Sequence, residues 1–269
     1  MNHKLSTLLL AASLVLAACQ PTEDPQVAAA AQAAAKEQKA NELARQFDTE
    51  FGKQNWDLAR AYGEELVTTH PDSAATARIK PQYEEAKAQS EAAREQRRVA
   101  ALWDYGRQPV KGGDQLSAAI YSKDAVDVGG GDAQPVRLIF RDHPEWGRSS
   151  YLVLENGDFD CYGGCKVQVN VDDQAPKAMA ASRPKTDEAI AMFIEDERAL
   201  WRLVREARVV AIEFPVRAGG KRSAVFEVGG LDPVKMPKWD GRNMKQRVGV
   251  LPAQVPVRRC RDGGTRCSN

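Results

Sequence analysis

The abrupt change of pattern at Trp103 constrains this chain more than any other feature. From Val27 to Trp103 the sequence is rich in Ala, Glu, Gln, Lys and Arg and has almost no glycine, a run of strong helix formers. After Trp103 the apolar residues recur at every second position. Val136, Leu138 and Phe140 alternate with Arg137 and Arg141; Val167, Val169 and Val171 with Gln168 and Asn170; Val210, Ile212 and Phe214 with Ala211 and Glu213; Ala224, Phe226 and Val228 with Val225 and Glu227. One period belongs to helices and the other to strands with one buried face. The chain therefore reads as α+β: a helical hairpin region over 28–103, then an antiparallel sheet or sandwich over 104–234 with one packed helix.

Within the helical region, Ala40, Leu43, Ala44, Phe47 and Phe51 form an apolar stripe that Gly52 ends. Asn55 is placed to cap a second helix carrying Leu58, Ala59, Tyr62, Leu66 and Val67, closed by His70-Pro71. A third helix over 74–101 is expected to break near Pro81. The stretch from Gln54 to Ala59, through Glu65-Leu66 to His70-Pro71-Asp72-Ser73, resembles the second helix and exit turn of a tetratricopeptide repeat. That resemblance spans one repeat, residues 40–73, whereas solenoids need about three repeats. It implies helices that dock on the second domain, pair with another chain or form an extended arm, rather than a peptide-binding groove.

Beyond the four alternating strands, Leu116–Tyr121 and Met179–Ser182 are weaker strand candidates. Asn156-Gly157 is a hairpin signal between 151–154 and 158–161, and Gly219-Gly220 reads as the turn before Val225. Thr186 or Asp187 is expected to cap the one helix, 186–207, which carries Ile190, Phe193, Ile194, Leu200, Leu203 and Val204 on one face.

At the N-terminus, His3 and Lys4 precede an apolar stretch, Leu5–Leu16, of signal-peptide length and too short to span a bilayer. Leu16-Ala17-Ala18-Cys19 resembles the lipobox of bacterial lipoproteins. That resemblance implies cleavage after residue 18, acylation of Cys19 with diacylglycerol and palmitate, and, with Gln20 following, an outer-membrane anchor facing the periplasm. Residues 1–18 are then the signal peptide and 19–27 a linker with Pro21 and Pro25.

The five cysteines become four once Cys19 is acylated. In an oxidising compartment an even count points to disulfides, and local pairing is expected: Cys161 with Cys165, and Cys260 with Cys267. A zinc site is the alternative, but only the first pair has the spacing typical of its ligands. The formal net charge of +1 carries no global basic field of the kind nucleic-acid binders show. Residues 235–269 form a locally basic segment with Lys235, Lys238, Arg242 and Arg258 among its cations, read as a solvated tail or as a patch for an anionic surface.

Candidate chemistry is sparse. Asp142 beside His143, in a loop expected after a strand, suggests acid–base work with Ser149 or Ser150, but adjacent residues rarely face one reacting atom, and the pattern reads as a surface loop. Asp172-Asp173 offers too few oxygen ligands for calcium. Asp196 and Glu197 lie on a solvated helix face, and Trp146, Trp201 and Trp239 are candidate sugar-stacking platforms or core residues. No motif calls for a cofactor. The reading is a lipid-anchored, non-enzymatic binding or assembly module whose partner is a periplasmic protein or envelope component. An envelope hydrolase, or an inhibitor of a host or phage hydrolase, is the alternative. Replacing Cys19 with Ala is expected to move the protein from the membrane to the soluble fraction on cell fractionation; persistence in the membrane fraction contradicts the anchor.

Overall fold

The computed structural model describes residues 24–184 and 190–239. The chain is α+β and divides into two compact units between Ala92 and Ala93. No described helix is long and apolar enough to cross a membrane. Cys19, Cys260, Cys267, Thr186 and Asp187 lie outside the described residues.

The first unit is built on α1 (Pro25–Gly52), α2 (Trp56–Thr69) and most of α3 (Ala74–Ala100). The expected linker gives way to helix earlier than residue 28. Asp24 accepts a bond from the Gln26 N–H at 2.9 Å, and Pro25 takes the first helical position, where its missing N–H costs nothing. Asn55 does not cap α2 with its side chain; its amide donates to Glu50 Oε2 at 2.9 Å. Ala40, Ala44 and Phe47 of α1 pack with Ala59 and Leu66 of α2 and Ala75, Ile79 and Ala86 of α3, all buried. A Cβ on Gly63 would stand 2.3 Å from the Tyr83 ring, so the close approach of α2 and α3 requires glycine. Pro81 does not break α3. The side chains around it, Ile79 and Tyr83, are held by α2, and that packing outweighs the lost hydrogen bond.

The second unit is one nine-stranded sheet: β1 (Trp103–Val110), β2 (Gly113–Val126), β3 (Gln134–His143), β4 (Gly147–Val153), β5 (Cys165–Val171), β6 (Lys177–Ser182), β7 (Ala191–Ile194), β8 (Val210–Pro215) and β9 (Lys221–Phe226). Its order is β1-β2-β3-β4-β7-β6-β5-β8-β9, and every neighbouring pair is antiparallel. The sheet curls until β9 lies beside β2, where Arg222 donates to the Asp127 carbonyl. A register shift between Tyr121 and Ala125 bends β2. There Ser122 Oγ accepts from the Val136 N–H at 2.9 Å, keeping the bulge tied to β3.

The alternating strands behave as their period predicts. Leu138, Phe140, Val167, Val169, Ile212, Phe214, Ala224 and Phe226 all enter one core. The expected helix over 186–207 is corrected: Ala191–Ile194 is strand β7, and the helix, α4, runs only from Glu197 to Glu206. A four-residue apolar run fits either period, and here Met192 and Ile194 turn inward while Phe193 turns out. Asp196, not Thr186 or Asp187, caps α4 by accepting from the Ala199 N–H at 3.0 Å.

The hairpin at Asn156-Gly157 is also corrected. β4 pairs with β3 and β7, and 158–161 forms no strand beside it. Gly157, at φ 66°, instead lets two loops touch, since a Cβ there would meet the Gly129 and Val128 carbonyls at 2.5 and 2.8 Å. The expected solvated tail is corrected at its start. A short 3₁₀ turn (Pro233–Lys235) leads into buried Met236 and Trp239, which the surrounding cations conceal in the composition.

Phe140 is the hub of this core. Trp201 of α4 and Trp239 meet it edge-on, with ring centroids at 5.1 and 5.4 Å, and lie 5.1 Å from each other. Such pairs add about 0.5–1.5 kcal/mol each beyond the area they bury. Trp239→Ala is expected to destabilise the second unit by about 3–5 kcal/mol, read from urea unfolding of the full chain followed by near-ultraviolet circular dichroism. Because the indole N–H is buried without a partner, Trp239→Phe should recover most of that loss; an alanine cost under about 1 kcal/mol contradicts the packing account.

Candidate binding face

Since β3 commits Val136, Leu138, Phe140 and Asp142 to the inside, Arg137, Ile139 and Arg141 must face out. The register sets their neighbours. Tyr121 stands opposite Arg137 on β2, while Val153, Tyr151 and Ser149 stand opposite Arg137, Ile139 and Arg141 on β4. Phe193 of β7 stands opposite Tyr151. Four strands thus present one outward strip whose centre is apolar and whose ends are cationic.

The guanidinium groups are held by rings. Arg137 lies over Tyr121 at 5.4 Å, and Arg141 lies 5.5 Å from both the Tyr151 and Trp146 ring centres. Tyr151 and Phe193 pack at 5.0 Å. Arg137 donates from Nη2 to Asp104 Oδ2 at 3.2 Å, yet its buried Nε has no partner. Arg141 donates from Nε to Ser149 Oγ at 3.2 Å, and among the described residues no carboxylate pairs with it. Guanidinium carries five donors in a planar fork, and in Arg137 one of them, the buried Nε, is left unsatisfied. Burial pushes the Tyr151 phenol up from its ordinary value, opposed by the charges of Arg141 and Arg137.

The Asp142 and His143 side chains are not brought together. Asp142 points to the core side and its Oδ2 lies 3.4 Å from the Lys238 ammonium. His143 is buried on the other side, where its Nδ1 accepts from the Glu145 and Trp146 N–H groups at 3.1 and 3.3 Å and its ring stacks on Trp146 at 3.9 Å. Accepting through Nδ1 leaves the proton on Nε2. Ser149 serves Arg141, and Ser150 is buried and donates to the Ile194 carbonyl at 3.2 Å. Each of the four thus has its own structural contact, Asp142 and Ser150 on the buried side. Of the three candidate tryptophans, Trp201 and Trp239 are core and Trp146 is exposed.

The remaining candidates also resolve into structural tasks. Asp172, at φ 46°, accepts from the Arg208 and Val209 N–H groups at 3.1 and 2.9 Å and so holds a turn. Among the described residues no group of three or more His, Cys, Asp or Glu gathers as metal ligands. A cleft of about 470 Å³ beside Glu95, Asp172 and Glu227 has Arg98 bridging Glu95 and Glu227 at 2.7 and 2.8 Å. Another of about 570 Å³ beside β1 has Arg107 paired with Asp114 and Lys235 seated on the Tyr105 ring.

Cys161 and Cys165 form the expected local disulfide across Tyr162-Gly163-Gly164. The turn is braced by Asp158, which accepts from Arg183, from the Tyr162 hydroxyl at 3.1 Å and from the Phe159 N–H at 2.8 Å. Arg183 stacks on the Tyr162 ring at 5.0 Å.

Period two marks Arg137 and Arg141 as outward residues but not as a site. Tyr121, Tyr151 and Phe193 join them only through strand pairing across distant segments. The chain matches no protein-family model, no curated protein and no solved structure.

For Asp158, burial opposes ionisation, but the bonds from Arg183 and Tyr162 outweigh it and hold the carboxyl below its ordinary value. A lowered folded value contributes stability that is present above the unfolded value and lost as pH falls through the folded one. Asp158→Asn is therefore expected to cost on the order of 3 kcal/mol at neutral pH. That deficit should shrink as the pH falls below about 4. Urea unfolding at pH 7 and pH 3 checks this, and a deficit that widens in acid contradicts it.

Proposed function

We propose that this protein is an outer-membrane lipoprotein, anchored at Cys19 and facing the periplasm. It acts as a non-enzymatic binding or assembly module that engages a periplasmic protein or envelope component through the outer face of β2, β3, β4 and β7. The observation that carries the reading is a pair of guanidinium groups set beside aromatic rings on an outward sheet face: Arg137, whose buried Nε has no partner, and Arg141, with which no carboxylate pairs among the described residues. Stacked arginines lose little freedom on binding, because their planar fork is already oriented. Aromatic residues and arginine are also the side chains enriched at interface hot spots.

Binding is favoured over catalysis because Asp142, His143, Ser149 and Ser150 each have a structural partner. A lipid tether complements a surface of this kind: it confines the module to the membrane and raises the local concentration of any partner held in the same envelope.

The test is crosslinking in intact cells, followed by detergent purification and identification of neighbours by mass spectrometry. A reproducible neighbour recovered with the natural chain is expected to be lost with Cys19→Ala and with the Arg137→Gln/Arg141→Gln double variant. Unchanged recovery with the double variant, while that variant remains folded, rejects this face as the binding surface.

A further inference from the structure

The spacing of Arg137 and Arg141 along β3 points to an acidic peptide segment in extended conformation as the partner. Its carboxylates would lie two residues on either side of an apolar side chain. This assignment rests on the reading of the outer face as a binding surface and adds the chemistry of what it holds.

Arg137 and Arg141 are four residues apart on one strand and share a face, so their Cα atoms are separated by about 14 Å. Between them lies Ile139, flanked by Tyr151 and then Phe193, all half-buried. An extended peptide has the same rise and the same alternation as β3. Its side chains at i, i+2 and i+4 fall on one side at the same spacing, so an acid, an apolar residue and an acid meet Arg137, the Ile139–Tyr151–Phe193 centre and Arg141 in register. A helix places i and i+4 only about 6 Å apart along its axis, so it cannot present neighbouring acids to both arginines.

Charge complementarity sets the sign, because Asp104 is the one carboxylate among the described residues that pairs with either arginine, and it is mostly exposed. It satisfies Arg137 only in part, and a ligand carboxylate would compete with it. Tyr121 and Trp146, the most exposed rings of the strip, stand at its two ends beside Arg137 and Arg141. The central apolar side chains are half-buried among their neighbours on the sheet face. That arrangement suits a segment laid across them better than insertion among acyl chains.

Fluorescence anisotropy with the full chain in detergent tests this. The probe is a labelled peptide with the core Glu-Thr-Val-Thr-Glu; one control moves the second Glu a residue closer, and another replaces both acids with Lys. The first peptide is expected to bind, the shifted peptide at least about tenfold more weakly, and the lysine peptide not at all. Arg137→Gln and Arg141→Gln should each weaken binding by about tenfold. Asp104→Asn should strengthen it several-fold by removing the internal competitor, a gain that a purely structural arginine would not produce. Thermal melts confirm that each variant is folded.

Equal binding of the shifted peptide, or no binding of the first peptide at millimolar concentration, overturns the assignment. Arginine-dependent binding to phosphatidylglycerol vesicles without peptide binding overturns it in favour of a lipid surface. If the double arginine variant still loses its cellular neighbour in either case, the binding face stands and only the partner's class falls.

Discussion

The structure depends on the register of β3. Once Phe140 is seated between Trp201 and Trp239, the pleat dictates every other side chain of the strand. Leu138 and Asp142 follow it inward, while Arg137, Ile139 and Arg141 have nowhere to go but out. A slip of one residue would drive two guanidinium groups into an apolar core, at a cost no ordinary domain could absorb. The aromatic hub and the cationic outer face are therefore two sides of one constraint.

Around that strand the sheet is closed by local devices. The bulge after Tyr121 bends β2, and the loops that carry Gly130 and Gly157 interlock because neither of these residues has a side chain. β5 is laid down three places from β4, and β6 and β7 then fill the gap back to it. That last pairing sets Phe193 beside Tyr151 and completes the outer strip. The Cys161–Cys165 disulfide and the Asp158–Arg183 pair help secure the long segment between β4 and β5, which also buries Phe159 in the core.

Much of this was legible in the sequence. The composition break divides helix from sheet, and β3, β5, β8 and β9 announce themselves by alternation over long enough runs to exclude a helix. The Cys161–Cys165 pairing was legible because only three residues, two of them glycines, separate the cysteines. What was not legible depended on distant partners. Ala191–Ile194 is too short to declare a period, and only pairing with β4 makes it a strand. Asn156-Gly157 carries the local chemistry of a hairpin, yet that glycine is needed for contact with another loop. Trp239 is surrounded by cations, and only its fit against Phe140 and Trp201 draws it inside. The candidate face was hidden for the same reason, since its rings come from three strands and its arginines look like ordinary solvated residues.

The account makes the outer face of β3 the working surface and the core its support. A photocrosslinking residue placed at Ile139 in intact cells tests this most directly, with the same residue at Ser223 on β9 as the comparison. The account predicts a discrete crosslinked product from position 139 that is absent from position 223 and disappears with Cys19→Ala. Equal products from both positions, or a product from 223 alone, would contradict it.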